Sequence, residues 1–256
     1  MHALISKITG GVLAIAAFVA LGIPAMAADA YMAPAGTPDY IKKAVESPDR
    51  PAEAKARDAN RKPAEILTMS GIKPGDTVVE FASFGQYYTT MISNIIGPQG
   101  KVYMFDLPYT DKFAGEASRA FVAKHPNAEY KQINYNDVEL PKNVDEVYMV
   151  LYYHDLFLND IDVAKLNKKI YDALKPGGVF LVIDHNAKAG SGTSDTKELH
   201  RIDPEVIAAQ VPQAGFKLVE RSNILAHPED PHTDMIFKPN IRGITDRTVF
   251  KFQKPN

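Results

Sequence analysis

The chain has 256 residues, of which 45% are hydrophobic and 23% are charged, and its formal net charge is −2. This composition excludes a collagen, a coiled coil or a disordered chain, and the length allows one large domain or two small ones. The near-neutral charge excludes an electrostatic surface for nucleic acid or anionic lipid, and the absence of cysteine excludes disulfides, thiolate metal sites and cysteine nucleophiles. The expected partner is therefore a small molecule.

The first residues have the pattern of a secretory signal peptide. Lys7 precedes the apolar run 11–21, a Gly/Pro break follows, and Ala25-Met26-Ala27 offers small residues for cleavage after Ala27. The run is about half of the roughly 20 residues that a membrane span needs, so an anchor is the less favoured alternative. Removal of residues 1–27 takes away one cation and no acid, which leaves a formal charge of −3. The sequence predicts an exported, periplasmic protein without a membrane segment after cleavage.

Residues 28–60 have the composition of an N-terminal arm. Their pattern predicts short helices over residues 38–45 and 51–60. A further helix over residues 63–70 belongs to the main domain, which we place at residues 61–256.

Strands and helices alternate after this point. The strands are predicted over residues 77–81, 101–105, 130–133, 146–152, 179–183, 216–219 and 248–252. The helices between them are predicted over residues 87–96, 114–125, 161–174 and 204–213. Such alternation predicts a mostly parallel sheet that is covered on both faces, in a doubly wound α/β fold. The polar segment 186–199 leaves the fifth strand at the end where a lid or substrate loop would lie.

Several motifs occur in the order typical of one enzyme family. They are KPGDTVVE at residues 73–80, GKVY at residues 100–103, LKPGG at residues 174–178 and AGF at residues 214–216. Over residues 61–256 the chain resembles class I S-adenosylmethionine-dependent methyltransferases, in particular an exported subgroup of predicted methyltransferases. The resemblance implies a Rossmann-like, seven-stranded sheet with an antiparallel last strand. It also implies S-adenosylmethionine as cofactor, in a crevice over the first four strands.

The turn after the first strand departs from the family's glycine motif. The resemblance places the family's acid at Glu80 and its three glycine positions at Ala82, Phe84 and Gln86, while Gly85 stands out of phase. Glycine at these positions lets the backbone approach the cofactor and adopt positive φ. Two interpretations follow for this degenerate motif. Either the pocket is retuned for another ligand, or the turn has filled with side chains and binds nothing.

Two polar positions follow the next strands. Asp106 ends the second strand about 20 residues after the turn, where a carboxylate can accept hydrogen bonds from ribose hydroxyls. The alternative is that Asp106 caps the turn that follows it. The family uses a polar residue after the third strand to contact adenine, and Asn136 holds that position. As part of an Asn-Asp pair, Asn136 is alternatively a turn residue.

Histidines lie next to charged residues in three places. These pairs are His154-Asp155, Asp184-His185 and His200-Arg201. The first two leave strand ends, where open α/β sheets bind ligands, so we predict His154, Asp155 and His185 as catalytic acid–base residues. Alternatively each histidine makes a structural hydrogen bond. An N/O metal site of His154, Asp184, His185 and His200 is a further alternative, but no tight ligand spacing supports it, so no metal ligand is predicted.

Other aromatic and charged residues receive a structural interpretation. Tyr87, Tyr88, Tyr152 and Tyr153 are expected beside the crevice, either stacking on a planar ligand or closing the rim of the core. An ordered surface loop held by an Arg–Asp pair is predicted for the group His227, His232, Arg242, Asp246 and Arg247.

Three functions from different classes remain open. The first is transfer of a methyl group from S-adenosylmethionine to a small molecule. The second is non-catalytic ligand binding on a methyltransferase scaffold that has lost its cofactor, since a fold does not imply a function. The third is a His/Asp metal-assisted hydrolase.

Overall fold

The computed structural model describes residues 31–256, and the signal-peptide prediction for residues 1–27 lies outside them. Seven strands are present in this part of the chain. They are β1 (Thr77–Phe81), β2 (Lys101–Asp106), β3 (Ala128–Gln132), β4 (Val144–Val150), β5 (Leu174–His185), β6 (Lys217–Ser222) and β7 (Arg247–Gln253). They form one sheet in the order β3-β2-β1-β4-β5-β7-β6.

Strand direction follows the predicted pattern. The first five strands pair in parallel, and β7 runs antiparallel to both β5 and β6. This confirms the predicted α/β fold, a doubly wound and mostly parallel sheet with an antiparallel last strand. Parallel strands end at one edge of the sheet, so the loops after β1, β2, β4 and β5 lie together.

Helices connect and cover the strands. They are α1 (Asp39–Glu46), α2 (Ala52–Lys55), α3 (Asp58–Arg61), α4 (Pro63–Ser70), α5 (Tyr87–Ile96), α6 (Glu116–Lys124), α7 (Val163–Ala173), α8 (Thr196–Leu199) and α9 (Pro204–Gln213). Short 3-10 turns occur at Gly97–Gln99, Pro108–Thr110 and Tyr153–Leu158, and one π-helical turn occurs at Asp111–Gly115. The start of α9 combines Pro204 with Asp203, whose side chain accepts a hydrogen bond from the Glu205 amide.

The core lies on both faces of the sheet. Successive strand residues point to opposite faces, so Val78 packs with α1, α4 and α5, while Val79 packs with α7 and α9. Both valines are fully buried. Because both faces are covered, the central strands β1 and β4 are buried along most of their length.

A buried ion pair holds the N-terminal helices against the domain. The region predicted as one helix over residues 51–60 forms two short helices, and Asp58 at the start of α3 contacts Arg50. The Arg50 guanidinium donates to both Asp58 oxygens, at 2.8 and 2.6 Å. The hydroxyl of Tyr87, the first residue of α5, donates to Asp58 Oδ1 at 2.6 Å. This carboxylate therefore joins the N-terminal segment to the helix that follows β1.

The segment over residues 186–199 is held at several points. Asn186 forms a bridge with Ile202, and the Gly190 amide donates to Asp203 Oδ2 at 2.6 Å. The segment ends in α8. Its role as a lid stays a prediction. Among residues 31–256, no helix has the length and apolar character that crossing a membrane requires.

Replacing Asp58 tests the buried ion pair. Asp58→Ala leaves the Arg50 charge buried without its partner, so we expect a loss of about 3–5 kcal/mol in the free energy of unfolding. Urea unfolding measures this loss. The control is Asp172→Ala, which removes the exposed pair with Lys168 on α7 and should cost less than about 1 kcal/mol. Equal losses in the two variants would show that the buried carboxylate has no special role.

Candidate functional site

The turn after β1 keeps a left-handed backbone despite its side chains. Ala82 has φ 56°, Gln86 has φ 47° and Gly85 has φ 87°. Two of the three predicted glycine positions therefore hold a side chain where glycine is favoured, which costs of order 1 kcal/mol each. The Ala82 amide donates to the Phe105 carbonyl at 3.0 Å, which ties the turn to the end of β2. The turn therefore has the positive φ values expected of a glycine-rich turn, with side chains at two of those positions.

Phe84, at the middle glycine position, belongs to an aromatic cluster. Its ring makes edge contacts with Phe113 and Tyr152, with centroids 5.8 and 5.9 Å away. The Tyr152 hydroxyl in turn lies 3.0 Å from that of Tyr109. These side chains come from the turns after β1, β2 and β4, and they pack together at the edge of the sheet.

Asp106, the last residue of β2, has no exposed surface. Its Oδ1 accepts hydrogen bonds from the Ser83 amide at 2.7 Å and from the Ser83 hydroxyl at 3.0 Å. Its Oδ2 is buried without a hydrogen-bond partner. Burial raises the pKa of Asp106 to about 6, against the opposing hydrogen bonds from Ser83. The turn therefore engages one oxygen of the predicted ribose ligand, and the ribose contact stays a prediction.

Asn136 makes structural contacts. Its side-chain nitrogen donates to the Asp160 carbonyl at 2.9 Å, and its side-chain oxygen accepts from the Asp162 amide at 2.8 Å. These bonds hold the loop before α7. Asn136 does not line the cavity described next, and its predicted adenine contact stays a prediction.

A cavity of about 690 Å³ opens at the carboxyl ends of β1, β4 and β5. The predicted residues Glu80, Ala82, Phe84, Gly85, His154, Asp155 and His185 line it, as do Tyr87 and Tyr88. Tyr152 and Tyr153 do not line it; Tyr153 is buried and accepts a hydrogen bond from Asn167 at 2.8 Å. A second groove, of about 460 Å³, lies at the opposite edge near Lys101, away from the strand ends that bind ligands in such folds.

Four arginines, Arg57, Arg61, Arg242 and Arg247, line the cavity without a carboxylate partner among the described residues. The guanidinium groups of Arg57 and Arg61 lie over the Tyr87 ring, 5.0 and 4.5 Å from its centroid. Arg247 donates to the carbonyls of Thr245 and Asn60. Burial and the charge of Arg61 lower the pKa of Arg57, and they lower that of Arg247 to about 10. The cations are thus close enough to repel one another.

Sequence reasoning missed this cluster. Arg57 was assigned to the arm and Arg61 to the first residue of the main domain, without a role for either. Arg247 was assigned to a surface loop, as was Arg242, which also lines the cavity. The i, i+4 spacing of Arg57 and Arg61 is a signal that could have indicated a cationic helix face. The Arg–Asp pair in the C-terminal loop is formed by Arg201 and Asp230.

His154 lies between two carboxylates. Its Nδ1 is 2.7 Å from Asp184 Oδ1, and its Nε2 is 3.2 Å from Asp155 Oδ1. Burial opposes the charge on this ring, but Asp184 and Asp155 prevail and raise the pKa of His154 to about 10. His200 Nδ1 lies 3.0 Å from the same Asp155 oxygen. The structure therefore brings His154, Asp155 and Asp184 together and adds His200 from a distant segment.

His185 and Glu80 line the cavity as neutral groups at pH 7. Burial and then the charges of His154 and nearby arginines hold the pKa of His185 well below its usual range, and its Nδ1 lies 2.7 Å from the Thr245 hydroxyl. Burial raises the pKa of Glu80 to about 8, while Thr89 donates to Glu80 Oε2 at 2.5 Å. Because a neutral imidazole can accept a proton, His185 keeps the ability to act as a base.

The strand order and the site at the carboxyl ends define the fold of class I methyltransferases. The family described as an O-methyltransferase domain matches residues 90–214. The ubiquinone/menaquinone biosynthesis C-methyltransferase UbiE of Escherichia coli O139:H28 is 23% identical over 188 residues, which are 62% of this chain and 74% of that protein.

Solved structures show the same fold. A SAM-dependent methyltransferase from Aquifex aeolicus has a TM-score of 0.57 at 18% identity, covering 82% of this chain and 96% of that one. The [4+2]-cyclase SpnF has a TM-score of 0.56 at 12% identity, covering 77% of this chain and 81% of that one. The chain is thus similar in fold and in part of its sequence to class I S-adenosylmethionine-dependent methyltransferases, a family whose cofactor is S-adenosylmethionine.

The raised pKa of Glu80 predicts a pH dependence of stability. Between its ordinary value of 4.5 and about 8, the folded protein keeps this proton and the unfolded chain releases it. The free energy of unfolding therefore falls as the pH rises through this window, by up to about 1.4 kcal/mol per unit. Glu80→Gln, which can still accept from Thr89, should flatten this fall in urea unfolding at pH 5 and 8. The exposed Glu129→Gln on β3 should not, and an unchanged slope in Glu80→Gln would refute the assignment.

Proposed function

We propose that this chain is an exported protein that binds an anionic small molecule in its cavity, on a methyltransferase scaffold that does not hold S-adenosylmethionine in the family's usual way. Export rests on the signal pattern of residues 1–27 and suits a chain without cysteine. The ligand class rests on one observation: Arg57, Arg61 and Arg247 line the cavity without a carboxylate partner in the described chain.

The adenosine half of the family's crevice does not fit the cofactor. Asp106 has no exposed surface, and its Oδ1 is engaged by Ser83. Phe84 lines the open cavity and packs on Phe113 and Tyr152. A ribose would need the space and the carboxylate that these side chains use.

The open half of the crevice suits an anion. Guanidinium groups present planar, weakly hydrated donors that match carboxylate and phosphate oxygens. Arg61 is central, because its charge lowers the pKa of both Arg57 and Arg247. A bound anion would remove this repulsion. Tyr87 and Tyr88 provide an aromatic wall beside the cations.

A second candidate function is methyl transfer from S-adenosylmethionine to a small molecule, with His154, Asp155 and His185 as acid–base residues. One observation favours it. Asp106 Oδ2 is buried without a partner, which is costly unless a ligand hydroxyl satisfies it.

Cofactor titration separates the two candidates. The wild-type protein should give no heat and no thermal shift with S-adenosylmethionine or S-adenosylhomocysteine at millimolar concentration. Phe84→Gly removes the ring from the aromatic cluster and should gain binding of both. The control is Phe237→Gly, which removes a ring from the same cavity away from that cluster and should gain none. Saturable binding to the wild type would establish the second candidate instead.

Anion titration tests the proposed ligand class directly. Metal-depleted protein should bind phosphate, pyrophosphate or citrate in calorimetry, with an affinity that falls as salt is raised. Arg61→Gln should lower that affinity about 10- to 100-fold, since a charge-assisted hydrogen bond contributes about 1.5–3 kcal/mol. Arg221→Gln removes a surface arginine that pairs with Glu205 and should bind as the wild type does. An absence of anion binding, or an unchanged Arg61→Gln, would refute the proposal.

A further inference from the structure

Two histidines and an aspartate meet beside the cavity. His154 and Asp155 lie in the 3-10 turn after β4, and His200 follows α8. Asp155 Oδ1 is 3.2 Å from His154 Nε2 and 3.0 Å from His200 Nδ1. One ligand atom from each residue lies within 4.8 Å of the other two. Residues that are 45 positions apart in the chain thus converge on one point.

We propose that this cluster binds a divalent first-row transition-metal ion through His154, Asp155 and His200. Bonds of about 2.0–2.2 Å place two ligands of a tetrahedral Zn²⁺ ion about 3.3 Å apart. The distances of 3.2 Å from Asp155 Oδ1 to His154 Nε2 and 3.0 Å from Asp155 Oδ1 to His200 Nδ1 agree with this spacing within a few tenths of an ångström. Two imidazoles and one carboxylate suit Zn²⁺, Fe²⁺ or Co²⁺, whereas Mg²⁺ and Ca²⁺ prefer oxygen ligands alone.

Asp184 supplies the outer partner that metal-bound histidines commonly have. Its Oδ1 lies 2.7 Å from His154 Nδ1. When Nδ1 carries the ring hydrogen and donates a hydrogen bond to Asp184, the lone pair of His154 Nε2 is free to bind the ion. Asp184 is itself held by the backbone amides of His154 and His185, at 2.7 and 2.8 Å. The orientation of the first ligand is therefore set before an ion arrives.

The position of His200 is also set. The adjacent Arg201 is fully buried and makes a bidentate pair with Asp230, at 2.8 and 3.0 Å. Its guanidinium also donates to the carbonyls of Asn186 and Asp234. This anchor fixes the chain at the residue next to the proposed ligand. Preorganised ligands reduce the entropy lost on binding.

One side of the cluster faces the cavity. His154 and Asp155 both line the cavity, so a water molecule or a bound anion can reach the ion from there. Asp155 Oδ2 accepts no hydrogen bond from a described residue, so this oxygen is also available to bind the ion. This arrangement, three protein ligands and an open position, is typical of catalytic metal sites. The proposal goes beyond anion binding and does not depend on it.

Metal titration of the full chain tests the proposal. Metal-depleted, untagged protein should take up one Zn²⁺ or one Co²⁺ per chain in calorimetry. The Co²⁺ form should show the visible bands of a four- or five-coordinate ion. Asp184→Asn removes the outer partner and should lower the affinity about 10- to 100-fold with the Co²⁺ bands retained. His200→Asn removes a ligand and should lower the affinity further, with the bands changed.

A closely matched control is His232→Asn. His232 and His200 have the same side-chain exposure of 27%, φ values of 57° and 54°, and an aspartate oxygen at 3.0 Å. Asparagine tolerates this left-handed backbone, and His232→Asn should bind metal as the wild type does. No saturable uptake by the wild type, wild-type affinity in His200→Asn, or equal weakening in His232→Asn would each overturn the proposal. Asp155→Asn replaces His200→Asn if that variant does not fold.

The anion titration uses metal-depleted protein, so it tests anion binding without a contribution from metal binding. A protein that binds anions but no metal would contradict only the metal proposal, and a protein that binds metal but no anions would contradict only the anion proposal. Thermal melting gives an independent readout, since an ion that binds the folded protein raises its melting temperature with concentration.

Discussion

The carboxylate of Asp58 joins the two parts of the molecule on which the cavity depends. It binds the buried Arg50 guanidinium and accepts a hydrogen bond from Tyr87, at the start of α5. This contact brings the helices before β1 against the helix after it. As a consequence, Arg57 and Arg61 lie over the Tyr87 ring and beside the strand ends. The N-terminal segment thus supplies one wall of the cavity.

The turn after β1 combines a left-handed backbone with side chains at positions where glycine is favoured. Ala82 and Gln86 adopt positive φ there at a small energetic cost. Phe84 and the aromatic side chains around it then fill the region above Asp106. The Asp106 carboxylate accepts hydrogen bonds from Ser83. The open space that remains lies over β1, β4 and β5, next to cations and histidines.

Charge is distributed unevenly around that space. Arginines occupy one wall, and His154 with its two carboxylates occupies another. Burial strengthens both the repulsion among the arginines and the attraction between His154 and its carboxylates, because fewer water molecules screen the charges. A ligand with an anionic group would therefore be oriented, with its anion at the arginines and its other end near the histidines.

Much of the fold and part of the site follow from local sequence pattern. The apolar run of β1 and the helix at Tyr87–Ile96 were predicted with their observed bounds, because burial periodicity is a local property. Parallel strands place their carboxyl ends at one edge, so the adjacency of His154 and Asp184 follows from β4 and β5 being neighbours. Asp106 was placed by the same rule, whereas Glu80 was placed by the resemblance to the family's motif.

Contacts between distant segments were decided by the tertiary structure. No local pattern predicts the contact of His200 with Asp155. No local pattern predicts the convergence of Arg57, Arg61 and Arg247 either. Asp106 illustrates the difference most clearly. The sequence by itself determined its position at the end of β2, since strand ends follow from periodicity. Whether its carboxylate faces a ligand or the Ser83 amide depends on how side chains from three separate turns fill the space, and packing alone decides that.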